Sequence, residues 1–271
     1  MPITPRRFQL PQGLCLWSAM IACAWAQVPE PPAVSNGLHS IEAFDEQNKL
    51  SDGYARWREF GLRGIYQLGD HQLSAEAINM NRFNENGNYL GLGDTVVFSP
   101  LWYASLNAGA GDGAPYLPRY RADGFLHRKF LSDLSLVGSL GLGRYRSPDG
   151  HQDDNISAGL TYYFSAPWVV QGQAKRTRSQ PGGIDTQQYF AAATWGHHQQ
   201  TQITGRYGWG QEGYQSLGDD RSISQFSSRQ KTLTVQHWLG LNWGIKFKLD
   251  NYHNPYYSRN GVSLAVFKDF R

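Results

Sequence analysis

Cysteine is almost absent: Cys15 and Cys23 are the only two in 271 residues. Both fall in a leader expected to be removed, and a chain without them has neither a disulfide framework nor a cysteine metal site. Charge is scarce too, at 17% of residues against roughly 25% in an ordinary soluble domain. The formal charge of +3 comes with no basic run, which excludes a nucleic-acid partner. No apolar run approaches the roughly 18 residues of a transmembrane helix, and mean hydropathy is −0.52, so a helical membrane protein is excluded. Beyond residue 36 no amphipathic helical period is sustained over ten or more residues, which excludes a helix-built domain. What is abundant is glycine, at 30 residues, and aromatics, at 14%. Nine tryptophans, fifteen tyrosines and thirteen phenylalanines bring too much buriable surface for a disordered chain.

The first 26 residues read as a secretory signal peptide: a basic start at Arg6 and Arg7, an apolar stretch too short to span a bilayer, and Ala24-Trp25-Ala26 as a cleavage site. Met20 to Cys23 also resembles a lipoprotein box with methionine in place of leucine, and Arg6-Arg7 a twin-arginine start. Removal leaves 23 Lys+Arg against 22 Asp+Glu. Residues 27–36 are proline-rich and read as a short periplasmic tether. A single domain is expected over 37–271.

Through that domain apolar side chains recur at every second position. Ile156, Ala158, Leu160, Tyr162 and Phe164 alternate with Asn155, Ser157, Gly159, Thr161 and Tyr163; Val262, Leu264 and Val266 alternate with Gly261, Ser263 and Ala265. The runs last about 10 to 13 residues, longer than a soluble strand of five or six and matched to the nine to eleven of a tilted membrane strand. The fold expected is all-β: a transmembrane antiparallel up-and-down β-barrel of about 14 strands (12–16). Breaks near 68–70, 99–100, 132–133, 166–167, 196–198 and 239–240 read as short. Those at 49–53, 84–88, 112–118, 147–153, 180–185, 212–225 and 253–259 read as long. The alternation fits periplasmic turns and extracellular loops in a Gram-negative cell outer membrane, with both termini periplasmic. A soluble β-domain would carry many Lys and Glu on its wet face, whereas here that face is Gly, Ser, Thr, Asn and Gln. Aromatics such as Trp57, Tyr89, Trp102, Tyr103, Trp168, Tyr189, Trp209, Trp238, Trp243 and Tyr257 lie near strand ends, where they would form girdles at headgroup depth.

The segment 54–66, YARWREFGLRGIY, and the closing segment 254–270, NPYYSRNGVSLAVFKDF, resemble the first hairpin and final strand of the YaiO family of outer-membrane β-barrels. The resemblance runs over most of the mature chain as a pattern of strands and aromatic positions, and it implies an exported barrel with no catalytic set. The closing strand departs from the usual barrel-terminal pattern at Lys268 and at Arg271 after Phe270, which bears on its recognition by the barrel-assembly machinery.

Strict alternation places Glu59, Arg63, Glu76, Asp94, Asp123, Lys129, Lys175, Arg206, Lys246, Lys248 and Asp250 on the lumen side. Such mixed charges either create a transverse field across a water-filled passage or pair off to fill a narrow interior, because unpaired charges are costly to bury. Small lumen residues such as Gly141, Gly143, Ser157, Gly159, Thr204 and Gly208 point to open volume. Arg176, Arg178, Arg229 and Lys231 fall where strands emerge and could bind lipopolysaccharide phosphates. Arg128 would face lipid, so it is expected near an interface or at a register shift. Asp250, His253, Asn254 and Ser258 cluster at the outer end and could be read as a hydrolase set. Adjacent His197 and His198 do not make a metal site, since neighbours on a strand face opposite ways. No cofactor, metal or catalytic residue is expected, and the chain is read as a non-enzyme. The partners expected are outer-membrane lipid and lipopolysaccharide, the assembly machinery and a polar or saccharide solute. The leading function is a pore or transport component for small polar or saccharide-like solutes. The alternatives are a surface structural or receptor barrel with an occluded lumen and, last, an outer-membrane lipid hydrolase.

Overall fold

The computed structural model describes residues 37–165, 167–217 and 222–270; the signal-peptide and tether segments, and Arg271, lie outside them. Fourteen strands follow in chain order: β1 Gly37–Leu50, β2 Trp57–Leu68, β3 His71–Arg82, β4 Glu85–Val97, β5 Trp102–Gly111, β6 Tyr120–Phe130, β7 Leu136–Arg146, β8 Gln152–Tyr163, β9 Trp168–Gln180, β10 Ile184–Gly196, β11 Thr201–Ser216, β12 Ser222–Trp238, β13 Trp243–His253 and β14 Ser258–Asp269. Each pairs antiparallel with its chain neighbours and β14 closes on β1. Closure satisfies every strand's backbone without leaving an edge, the condition for a sheet in hydrocarbon.

Alternation along each strand decides which face is wet. On β7 and β8 Leu140, Leu142, Ile156 and Leu160 are exposed, while Val137, Ser139, Gly141, Ser157 and Thr161 are buried. A surface this rich in exposed leucine is stable only against acyl chains. The core therefore sits inside the barrel, and the apolar exterior is the membrane face.

Both described chain ends, with the turns after even-numbered strands, mark one end of the barrel, here the terminal end; the turns after odd-numbered strands mark the loop end. The expected contrast between short and long connections is weak. The break at 84–88 is a two-residue turn, Phe83 and Asn84, both with left-handed φ of 54° and 65°, the geometry a two-residue hairpin needs to match strand twist. The break at 212–225 is largely strand, because β11 and β12 run on for 16 and 17 residues. Polar and glycine-rich composition at these places marks the loop end rather than loss of strand.

Candidate functional site

At the loop end, residues 212–217 and 222–226 of the β11–β12 hairpin pack against side chains from both sides of the mouth. Pairing of β11 with β10 ends at Gln188 opposite Gly210, whereas pairing with β12 continues to Ser216 opposite Ser222. Gly210 has φ +143°, and a Cβ there would lie 2.3 Å from the Gln187 carbonyl oxygen. Only glycine allows the chain to peel off the wall at this point. Beyond it the hairpin folds inward, so that a Cβ on Gly213 would meet the Ser179 hydroxyl of β9 at 2.1 Å.

Two contact sets hold the tip. On one side Leu217, Ile223 and Phe226 pack with Leu50, Trp57, Phe83, Tyr252 and Tyr257. Within this cluster Tyr252 donates its hydroxyl to Glu212 at 2.9 Å, and Gln215 donates to Tyr257 Oη at 2.5 Å. On the other side the Tyr214 ring stacks on His151 with centroids 3.9 Å apart, and its hydroxyl donates to Asp149 at 2.5 Å. Burial pushes the Asp149 carboxyl up, but hydrogen bonds from the Ser147 and Tyr214 hydroxyls outweigh it and hold the group below the ordinary carboxylate range. The β5–β6 connection adds Tyr116 and Leu117, both buried against Ile78, Met80 and Tyr89. Tyr116 donates its hydroxyl to the Met80 carbonyl oxygen at 2.9 Å.

Below the cap the lumen is uneven. Across β13, β14 and β1–β3 it is packed with ion pairs: Arg63 with Glu42 at 2.9 Å and with Glu76 at 3.2 Å, Lys246 with Glu42, Lys248 with Glu46 at 2.5 Å, Arg82 Nε with Glu59 at 2.9 Å, and Arg259 with Asp250 at 2.9 Å. The two lysine pairs reach from β13 past β14 to β1, clamping the seam where the chain ends meet. Gln230 and Thr232 also donate to Asp250, at 2.7 and 2.9 Å. The Arg82 and Arg259 guanidiniums lie 4.7 and 5.0 Å from the Trp57 ring. Each of these charges has an opposite charge beside it, which makes its burial tolerable, although Arg259 Nε and Nη1 have no hydrogen-bond partner among the described residues.

On β9–β11 the mid-height lumen side chains are instead neutral or small and half-exposed: Gln171, Gln173, Phe190, Ala192, Thr194, Thr204 and Gly208. Two cations also face inward there: Lys175, buried on β9, and Arg206, which rests over Phe190 at 4.1 Å. Against the charged wall lies a cavity of about 170 Å³, lined among others by Glu42, Arg63, Glu76, Arg121, Asp123 and Lys246, reaching Ser40, Gln72 and Asp269 at the terminal end.

The residues expected in the lumen fall as follows. Glu59, Arg63, Glu76, Asp123, Lys129, Lys175, Arg206, Lys246, Lys248 and Asp250 share strand parity with buried inward residues. Asp94 is a correction: it shares the outward parity of exposed Leu90 and Leu92, opposes Leu73 and Leu106, and pairs with His71 at 2.8 Å on the outer face. Arg176, Arg178 and Arg229 are exposed and outward in the loop half of their strands, and Lys231 is exposed and outward just past the midpoint of β12. Arg128 is outward two residues before the β6 end, 5.2 Å from the Trp102 ring and 4.9 Å from the Phe130 ring, an interfacial setting. The hydrolase set is divided by the wall. Asp250 faces inward on Arg259, while His253 Nδ1 meets the Ser258 hydroxyl at 2.8 Å on the exposed side. Asn254 caps its own turn by accepting from the Tyr256 and Tyr257 amides.

The girdle reading also needs revision. Trp168, Tyr189, Trp195, Tyr207, Trp209 and Trp243 are outward and exposed, but Trp57, Tyr89, Tyr103, Trp238 and Tyr257 are buried inside. Parity would have found Trp57, which alternates in step with Glu59 and Arg63. It would also have found Arg259, in step with Gly261 and Ser263. Glycines read as open volume serve two ends: a Cβ on Gly141 would meet the Phe125 ring at 2.3 Å, whereas one on Gly208 meets nothing closer than 3.8 Å.

Known proteins agree with this architecture. The fold is similar to an outer-membrane channel of Pseudomonas putida F1, with TM-score 0.57 at 8% identity over 91% of this chain and 100% of that one. It is similar to the CymD monoaromatic hydrocarbon channel, with TM-score 0.56 at 10% identity over 87% and 89%. It is also similar to a bacterial polysaccharide outer-membrane secretin, with TM-score 0.54 at 11% identity over 87% and 99%. At such identities these likenesses bear on fold alone. No curated protein sequence matches the chain. The model of the YaiO membrane β-barrel domain matches residues 38–215, from β1 through nearly all of β11. The chain therefore belongs to the YaiO family and is an outer-membrane β-barrel protein.

Proposed function

We propose that the protein is a gated passage for small polar or saccharide-like solutes, with both termini periplasmic and the β11–β12 tip as its gate. The half-exposed neutral face of β9–β11 carries this reading. It supplies amide and hydroxyl groups along the lumen without the counter-charges that fill the opposite wall, and it leads up to a cap held by side-chain contacts rather than by strand pairing to β10. A solute entering from the terminal end would meet the cavity beside Arg63 and Glu76 first, where mixed charge orients dipoles and disfavours large ions of either sign. That two of the proteins similar in fold are channels is in keeping with this use.

Replacing residues 213–224 by a two-residue turn tests the proposal. In planar bilayers the shortened protein should conduct stepwise where the full chain is mostly closed. A shortened barrel that folds, judged by heat-modifiable migration on gels, yet passes no current would overturn it. That result would favour the receptor reading, which the tight packing of Leu217, Ile223 and Phe226 under the mouth supports.

A further inference from the structure

Among the outward cations of the loop end, those on β7 and β9 and those on β12 differ in their neighbours. On β7 and β9 each of three outward arginines has acid beside it: Arg144 pairs with Asp154 at 2.6 Å, Arg176 with Asp185 at 3.2 Å, and Arg178 lies in register with both Asp154 and Asp185. On β12 the register is different. Arg229 stands between Trp209 and His253, and Lys231 between Tyr207 and Asn251. Both cations are exposed, and among the described residues neither has a carboxylate partner.

Beside them runs an aromatic row. The Tyr189, Trp209 and Tyr207 rings stack in sequence, with centroids 5.7 and 5.4 Å apart. At about 3.3 Å per residue and a tilt near 40°, Arg229 lies roughly 23 Å along the axis from Trp238 at the terminal end, close to the ~25 Å height of a barrel's apolar band. By the same measure Lys231, seven residues from Trp238, lies roughly 18 Å along the axis. Arg229 thus sits at the far headgroup level, where stacked rings mark the interface, and Lys231 stands below it with a flexible stem that can carry its ammonium up to that level.

We infer that Arg229 and Lys231 form a docking site for the phosphorylated sugar headgroup of an outer-leaflet lipid A. Charge complementarity selects the phosphate, which an Arg fork can hold bidentately while Lys supplies a second point charge. Asn251, already donating to Asn260 at 2.8 Å, places amide groups beside them for sugar hydroxyls, and Trp209 offers an apolar face to the ring edge. The site is independent of whether the lumen conducts.

The test uses full-length protein refolded in lipopolysaccharide-free detergent, with thermal unfolding followed by gel migration. Bisphosphoryl lipid A should raise Tm by several degrees. Arg229→Gln with Lys231→Gln should abolish the rise, and Arg176→Gln with Arg178→Gln should keep it. Should the first double variant fail to fold, Lys231→Gln alone should at least halve the response. The inference is overturned by no rise in the parent, by an equal rise in the Arg229/Lys231 variant, or by an equal rise with dephosphorylated lipid A. An equal rise with phosphatidylglycerol also overturns it, because the site would then read phosphate without the sugar.

Discussion

Two walls of one barrel, built by the same alternation, have opposite interiors. Across β13, β14 and β1–β3, long side chains of both signs meet in pairs, and glycine serves to receive them: a Cβ on Gly61 would lie 2.4 Å from the Phe44 ring, itself under Arg63 at 4.0 Å. Across β9–β11 the mid-height inward positions hold mostly Gln, Thr, Ala and Gly, with Lys175, Phe190 and Arg206 among them, and a Cβ on Gly208 would make only ordinary contacts. Closure and lipid exposure are satisfied equally by either wall, so the difference is free to serve something else. The filled wall fixes the seam between β1 and β14, and the other wall presents half-exposed, mostly neutral side chains to the lumen.

The sharpest break of this comparison is removal of one partner from the filled wall. Arg259→Met strands Asp250 in a fully buried site and should lower unfolding stability by about 3–5 kcal/mol, read by denaturant titration in detergent. Gln173→Ala on the mostly neutral wall should change it by less than about 0.5 kcal/mol. Next in size is one substitution made on both sides. Gly61→Ala must displace the Phe44 ring and should cost about 1–3 kcal/mol, whereas Gly208→Ala meets only ordinary contacts and should be near neutral by the same titration. A loss at Gly208 equal to that at Gly61 would erase the distinction.

The smallest effect concerns the cap. Because the Asp149 carboxyl is held below its ordinary range, its contribution to docking is complete above the unfolded value of about 3.9 and is lost as pH falls through the lower folded value. Protease cleavage within residues 213–224 of folded protein should therefore rise only below the ordinary carboxylate range, and Tyr214→Phe, which removes one donor to Asp149, should move that onset upward in pH. An onset unchanged in Tyr214→Phe would detach the cap from this carboxylate.

The architecture was legible because it depends on a period of two and on strand length, both properties of single runs such as 156–164. Membership of the lumen is legible for the same reason except at Asp94, whose parity with Leu90 and Leu92 turns it to the outer face. The cap was not legible. It arises because pairing to β10 stops at Gly210 while pairing to β12 continues, a difference between two neighbours of one strand that composition does not carry. Polar residues at 212–225 look like a loop, and only their partners across the mouth, Ser179, His151 and Tyr257, reveal a lid. The inward aromatics were hidden similarly, since strand-end position is shared by girdle and cap, and parity alone separates Trp57 from Trp209.

Gly213→Cys with Ser179→Cys tests the gate most directly, in a chain whose only native cysteines, Cys15 and Cys23, precede the expected cleavage site. Oxidised, the pair should lock the tip to β9 and silence single-channel current in planar bilayers; reduction should restore stepwise openings in the same membrane. Current that is identical before and after reduction, whether present or absent, would contradict a gated passage.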